Sequence, residues 1–192
     1  MSRDLADPGG GGPGGGGPRG GGPRGDVRGG DADPPSTEVA ASEVVRLLHL
    51  AGATLGVAES LTGGSLTAAV VGVPGASAVL RGGVVAYATD LKGSLLGVRA
   101  ALLSEHGAVH PAVVAAMAAG AQRVLGSTWG VATTGVAGPT EQDGHPVGTV
   151  HLAVSGPRPR VQSLHLGGSR DEVREGATWA GLVLLIACLR TG

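Results

Sequence analysis

The sequence predicts an α/β sandwich on a mixed sheet, and three observations carry that prediction. Apolar runs of strand length recur along the chain, and helical segments separate the first three of them. The third run, residues 129–134 (WGVATT), is continuous and apolar, as expected of a strand buried on both faces. Runs three, four and five follow one another with no helix between them, so each neighbouring pair joins antiparallel.

The elements follow in chain order. Residues 1–37 hold 14 of the 38 Gly and 6 of the 12 Pro, with almost no apolar anchors. Such a segment buries too little surface to offset its ordering entropy, so it reads as a disordered tail ahead of a domain over 38–192. From Ser36 the pattern Ser-Thr-Glu leads into a capped amphipathic helix ending near Ala51. Residues 53–58 (ATLGVA) form the first strand, residues 59–64 a turn, and a helix of small residues runs to about Val71. Residues 82–87 (GGVVAY) are the second strand, and a short helix over 90–96 is capped by Thr89 or Asp90. Pro111 opens a long helix to Leu125, where its missing N–H costs nothing. After the third strand comes a Gly/Pro-rich loop over 135–148. Strands at 149–154 and 161–166 follow, and then a helix from about Glu172 to Leu189, capped by Ser169 or Asp171.

Composition excludes several functions. A net charge of −1 leaves no basic surplus for phosphate backbones, and the tail itself has four Arg against five Asp, so no nucleic-acid partner is expected. One Cys excludes an internal disulfide and a Cys-based zinc site, and none of the six His falls in an H-E-x-x-H pattern, so no metal is expected; there is also no G-x-x-x-x-G-K-[ST] and no G-x-G-x-x-G after the first strand to suggest a nucleotide cofactor. Without an apolar run of ~18 residues or an apolar leader, the expectation is a cytoplasmic protein with no membrane partner.

Three stretches are able to carry chemistry. In Glu59-Ser60-Leu61-Thr62-Gly63-Gly64 a hydroxyl sits where a strand gives way to a helix. That corner suits a nucleophile with an oxyanion hole, and equally an ordinary helix cap. The second stretch holds the only Tyr, Tyr87, and the only Lys, Lys92, five residues apart. A chain that uses Arg thirteen times and Lys once needs an amine at that one place. Burial and a helix N-terminus would depress its pKa, as a Ser–Lys hydrolase requires of its base. The third stretch runs from Thr134-Gly135 through Gly138-Pro139 to Gly148 at a strand's C-terminal end, a usual ligand position in α/β sheets; the alternative is a hairpin connection, but the stretch is longer and richer in Gly and Pro than a hairpin needs. His49, His106 and His110 read as surface or capping residues, and His151 and His165 as strand residues beside polar neighbours.

Together these stretches resemble the CinA C-terminal domain family, which includes nicotinamide-nucleotide amidohydrolases. The carrying motifs are Ala58-Glu59-Ser60-Leu61-Thr62-Gly63-Gly64, Tyr87 with Lys92, Leu95-Leu96-Gly97-Val98, His106-Gly107-Ala108-Val109, Thr134-Gly135-Val136-Ala137-Gly138-Pro139, Pro146-Val147-Gly148-Thr149-Val150, and Arg170 with Arg174. The resemblance implies a three-layer α/β/α sandwich with a mixed, mostly parallel five-stranded sheet. It implies deamidation of nicotinamide mononucleotide to nicotinate mononucleotide, a step of pyridine nucleotide salvage. It implies Ser60 as nucleophile with Tyr87 and Lys92 as partners, and Glu59, Thr62, Gly63, Gly64, Ser77, Thr134, Gly135, Gly138 and Arg170 around the substrate, with Arg170 at the phosphate. It also suggests a homodimer. The alternative is a non-catalytic member that binds nucleotides or a competence or DNA-damage partner. Such a member has no reason to keep Ser60, Tyr87 and Lys92 together.

Overall fold

A computed structural model describes residues 36–190. The tail expected over 1–37 lies almost wholly outside the described residues. Ser36 is the N-cap of α1 (Thr37–Leu50), its hydroxyl accepting from Val39 N at 3.3 Å. The chain continues through β1 (Leu55–Glu59), α2 (Ser65–Val71), a 3₁₀ turn (Ala76–Ala78), β2 (Leu80–Val85) and α3 (Thr89–Ser94). Then come α4 (Ala100–His106), α5 (Pro111–Leu125), β3 (Trp129–Gly135), β4 (Thr149–Ser155), β5 (Arg160–His165) and α6 (Arg170–Arg190).

The five strands form one sheet in the order β2-β1-β3-β4-β5. β1 is parallel to both β2 and β3, whereas β3–β4 and β4–β5 are antiparallel as expected. Two of the four pairings are therefore parallel, and the expectation of a mostly parallel sheet is corrected to an evenly mixed one. The cause is the absence of a crossover helix after β3, since a short connection only permits antiparallel pairing.

Helices cover both faces, which completes the three-layer sandwich. On one face α1, α2 and α6 bury Leu55, Val57, Val131, Val150, Leu152 and Val154 of the strands. On the other, α5 packs on Ala58, Ala132 and Ala153. The small residues on this second face let α5 approach the sheet closely. A Cβ on Gly130 of β3 would collide with the Ala118 carbonyl of α5.

Two differences from the sequence reading have local causes. No side chain caps α3, because its N-cap position falls on Ala88 and not on Thr89 or Asp90. Helix α4 was not anticipated: it is short, lacks a side-chain cap and buries no residue, so it leaves no amphipathic signature. The last helix has the full capping box, with Glu172 N donating to Ser169 Oγ and Ser169 N to Glu172 Oε2 at 3.4 and 2.7 Å.

Close α5–sheet packing makes a direct prediction. Gly130→Ala should destabilise the domain by about 1–3 kcal/mol, because backbone on either side has to move. Denaturant melts that superimpose on the wild type would show that α5 does not pack as described.

Candidate functional site

Order β2-β1-β3 means that the chain leaves β1 in one direction and returns over it to β3. The carboxyl ends of β1 and β3 thus face a crevice where connections diverge, the position at which open α/β sheets bind ligands. Ser60 lies there. Its backbone N–H donates to Thr133 O at 3.1 Å and so extends the β1–β3 ladder by one residue.

Alternation along β1 sends neighbouring side chains to opposite faces. Glu59 points to the α2 face and is fully buried. Its carboxylate accepts from Gly64 N (2.9 Å), Leu66 N (3.0 Å), Thr67 N (2.8 Å) and Thr67 Oγ1 (2.5 Å). The free amides at the start of α2 are therefore consumed by this chain's own carboxylate. Gly63 N is also engaged, donating to Ser60 O at 3.1 Å. The Gly63 and Gly64 amides both already have acceptors, so neither is free to form the oxyanion hole that this corner suggests. In the same turn, the amides of Leu61 and Thr62 have no acceptor among the described residues.

Thr62 is buried, with Oγ1 2.8 Å from Thr133 Oγ1. Arg174 of α6 reaches under the turn and donates to Thr62 O at 3.2 Å and Ser65 Oγ at 3.4 Å. Glu59, Thr62 and Arg174 thus build the Ser60 turn from beneath, leaving the Ser60 hydroxyl on the opposite side.

On that side stands Lys92. It is 1% exposed, and its Nζ lies 3.0 Å from Ser60 Oγ and 2.9 Å from Ala86 O. Burial lowers its pKa from the usual 10.5 to about 8, against a smaller opposing pull from the Asp143 carboxylate. Helix α3 has only six residues, and Lys92 lies in its last turn, so the cause is burial and not the field of a helix N-terminus.

The cleft encloses about 260 Å³, with Ser60 and Lys92 on its wall. β3 contributes Thr134 and Gly135 to the lining. Thr134 Oγ1 is turned into the fold and donates to Ala108 O at 2.8 Å. Gly135 has no room for a Cβ, which would strike the Thr149 carbonyl. Tyr87 and Arg170 also line the cleft, and both are exposed. Arg170 donates to Tyr87 OH at 2.9 Å and to Gly138 O. Tyr87 therefore bonds Arg170, while Ser60 has its contact with Lys92 directly.

Ser77 is not brought to this site. It lies on the exposed 3₁₀ turn before β2, at the amino ends of the parallel strands, whereas Ser60 lies at the carboxyl end of β1. The five residues of β1 separate the two ends by roughly 17 Å.

Residues 139–148 fold as a hairpin and not as an open loop. Gln142 and His145 exchange backbone bonds of 3.2 and 2.9 Å around Asp143 (φ 53°) and Gly144 (φ 75°). Two positive φ values define a type I′ turn, and Asp-Gly is its preferred sequence. The Asp143-Gly144 pair was the available signal for this turn. Asp143 Oδ2 accepts from Ala108 N at 3.3 Å, which places a carboxylate on the bend that lines the cleft. His110 caps α5 by accepting from Ala112 N through Nδ1 at 3.2 Å, and stacks on His106. His49 and His165 are exposed, and His151 Nδ1 is 2.8 Å from Ser163 Oγ. Among the described residues no group of three His, Cys, Asp or Glu is placed to hold a metal ion, and no helix is long and apolar enough to cross a membrane.

A three-layer sandwich with a buried Ser–Lys pair at the β1–β3 crevice defines the class of domain. The comparisons with known proteins give the family. A family model described as the CinA C-terminal domain matches residues 37–189. A CinA-like protein of Frankia casuarinae is 50% identical over 143 residues, covering 74% of this chain and 33% of the relative. One from Parasynechococcus marenigrum is 58% identical over 118 residues, covering 61% of this chain and 28% of its own. A competence-damaged protein (CinA) superfamily structure from Klebsiella pneumoniae superposes with a TM-score of 0.79 at 32% identity, covering 82% of this chain and 100% of that one. The competence/damage inducible protein CihA of Agrobacterium tumefaciens gives a TM-score of 0.75 at 33% identity, covering 81% of this chain and 96% of that one. The chain belongs to the CinA C-terminal domain family, and it spans about a third of the length of the curated relatives it matches.

Two predictions follow from the buried charges. Glu59→Gln should cost about 3 kcal/mol, because an amide N–H₂ would face a cluster of N–H donors. A melting curve unchanged from the wild type would refute the anchoring role. Lys92 holds its proton less tightly when folded than when unfolded, so the unfolded state binds more protons between about pH 8 and the usual 10.5. Wild-type stability should therefore gain on Lys92→Met as pH rises through that window. A stability difference independent of pH would mean that the amine is not desolvated.

Proposed function

We propose that this domain is an amidohydrolase that deamidates nicotinamide mononucleotide, with Ser60 as nucleophile and Lys92 as its base. The observation that carries the reading is the 3.0 Å contact between Lys92 Nζ and Ser60 Oγ at the wall of a cleft. A pKa near 8 leaves about a tenth of the amine neutral at pH 7. That neutral amine donates to the Ala86 carbonyl and accepts from the Ser60 hydroxyl.

In this reading Ser60 Oγ attacks the carboxamide carbon as its proton passes to Lys92 Nζ. The Leu61 and Thr62 amides are the donors left in the turn for the developing oxyanion. Collapse of the tetrahedral intermediate expels ammonia, which takes its third proton from Lys92. Water then enters, gives a proton to Lys92 and attacks the acyl-serine, and Ser60 recovers its proton as nicotinate mononucleotide leaves.

The substrate assignment rests on the motif resemblance and on the cleft's polarity. Ser60 and Lys92 stand at one end and the Arg170 guanidinium at the mouth, so a carboxamide and a phosphate have separate places. Arg170 uses only part of its five-donor fork on Tyr87 and Gly138, and the remaining N–H groups suit a phosphate. Tyr87 then holds Arg170 at the mouth instead of relaying a proton.

The purified chain should release ammonia from nicotinamide mononucleotide. Ser60→Ala and Lys92→Arg should each lower kcat at least about 10³-fold, since Arg keeps the charge but cannot serve as base. No ammonia from the wild type would remove the assignment, and full activity in Lys92→Arg would remove the base. kcat/KM should rise with pH along a limb centred near 8, as Lys92 loses its proton. A flat profile from pH 6 to pH 9 would argue against that role.

A further inference from the structure

Helix α5 starts on an uncommon cap. His110 accepts the Ala112 amide through Nδ1 at 3.2 Å. A backbone amide can only donate, so Nδ1 is the unprotonated nitrogen and the ring is in its neutral Nε2–H form. The usual caps, Ser, Thr, Asp and Asn, keep their oxygen acceptor throughout the neutral and mildly acidic range. An imidazole loses its acceptor when it takes a proton.

Two further features set that proton against the fold. His110 stacks on His106 with ring centroids 4.0 Å apart and planes 6° from parallel, so a proton on each ring would bring two cations face to face. The cap also stands at the positive end of a helix of 15 residues, where a cation is unfavourable. What the cap holds is a wall of the cleft. Ala108 and Val109 are buried and line it together with Ser60 and Lys92. Ala108 O accepts from Thr134 Oγ1, and Ala108 N donates to Asp143 Oδ2. The bend is thus tied to β3 and the hairpin at Ala108, and to α5 at His110.

The charged and titratable groups around the ring do little to welcome a proton. On α4, Glu105 is exposed and lies 3.6 Å from His106. On the hairpin, Asp143 is engaged by Ala108, and His145 meets His151 of β4 edge-on, with centroids 6.3 Å apart. His151 is buried, and its Nε2 has no hydrogen-bond partner among the described residues. Lys92 of α3 lies in the wall of the same cleft. The first turn of α5 contains no acid. No carboxylate forms an ion pair with His110 among the described residues. Burial, and after it His106 and His145, hold the His110 pKa below the usual 6.5, against a smaller pull from Glu105.

We infer that His110 is an acid-sensitive clasp on the cleft: neutral, it fastens the Ala108–Val109 wall to α5, and protonated, it releases the first turn of α5 and loosens that wall. The folded ring binds its proton less tightly than the unfolded one, so the clasp is whole above the usual 6.5 and weakens as pH falls below it. The cleft is complete only while His110 is neutral, whatever reaction Ser60 carries out.

Amide hydrogen exchange of the full chain, corrected for the intrinsic effect of pH, reads the clasp at Ala112, Val113 and Val114, whose N–H groups bond His110. Their protection should fall at least about fivefold in the wild type between about pH 7.5 and about pH 5. In His110→Asn the side-chain oxygen caps without taking a proton, and protection should change less than about twofold over the same range. His110→Ser should repeat that result. The wild-type His110 ring signal, followed by NMR in the same samples, should titrate with the midpoint of the fall. Protection that holds in the wild type down to about pH 5 overturns the inference, and so does an equal fall in both variants. If neither variant folds, the wild type still decides: a ring midpoint that does not coincide with the loss of protection rejects the clasp. No substrate enters this measurement, so its outcome is separate from that of the ammonia assay.

Discussion

The Glu59 carboxylate is the contact on which the rest of the site depends. A strand that turns into a helix leaves several amide donors pointing into the crevice, and without an acceptor they would compete for any anion that entered. Glu59 supplies four acceptor contacts at once from a fully buried position. Burying a charge is costly, and a set of short, well-directed donors is what makes it tolerable. The consequence is a rigid turn whose next residue, Ser60, has no choice but to face the other side of the sheet. Thr62 and Arg174 complete the same scaffold from β3 and α6.

Lys92 is the counterweight on the opposite face. A side chain 1% exposed with no ion-pair partner among the described residues is a poor contribution to stability at neutral pH. Its burial has a chemical effect instead: it moves a group that is ordinarily protonated into the range where it exchanges protons near pH 8. The small residues of this face serve the same end. Ala58, Ala86 and Ala132 leave room between sheet and helices into which a long side chain can extend.

Much of this was legible in the sequence. The single Lys, in a chain that otherwise uses Arg, pointed to the side chain that the structure brings to Ser60, and Ser60 stood out by its place at a strand end. The misreading of the Ser60 turn has its origin in side-chain direction. Glu59 and Ser60 are adjacent, and so are Thr133 and Thr134, yet strand alternation puts the members of each pair on opposite faces. Counting along β1 from the apolar Leu55 and Val57 would have sent Glu59 to the α2 side and taken the Gly64 amide with it. Asp143-Gly144 was likewise readable as a type I′ turn. The bond between Tyr87 and Arg170 was not, because it joins residues 83 positions apart and no local pattern encodes it.

That long-range bond also bears on how a substrate would enter. Arg170 begins α6, directly after the capping box at Ser169, so its backbone is fixed while its side chain spans the mouth from Tyr87 to the Gly138 carbonyl. Both partners are neutral, and a phosphate dianion is a stronger acceptor than either a phenol or a carbonyl. A phosphorylated ligand therefore has a favourable exchange available at the mouth, and one that does not disturb the turn beneath Ser60. The mouth and the buried pair are thus held by different elements: Arg170 of α6 joins Tyr87, after β2, to Gly138, after β3, while Ser60 at the end of β1 meets Lys92 of α3. Ser60 and Lys92 meet on β1 and α3, away from the Tyr87–Arg170–Gly138 contacts, so those contacts can change while the Ser60–Lys92 pair keeps its place.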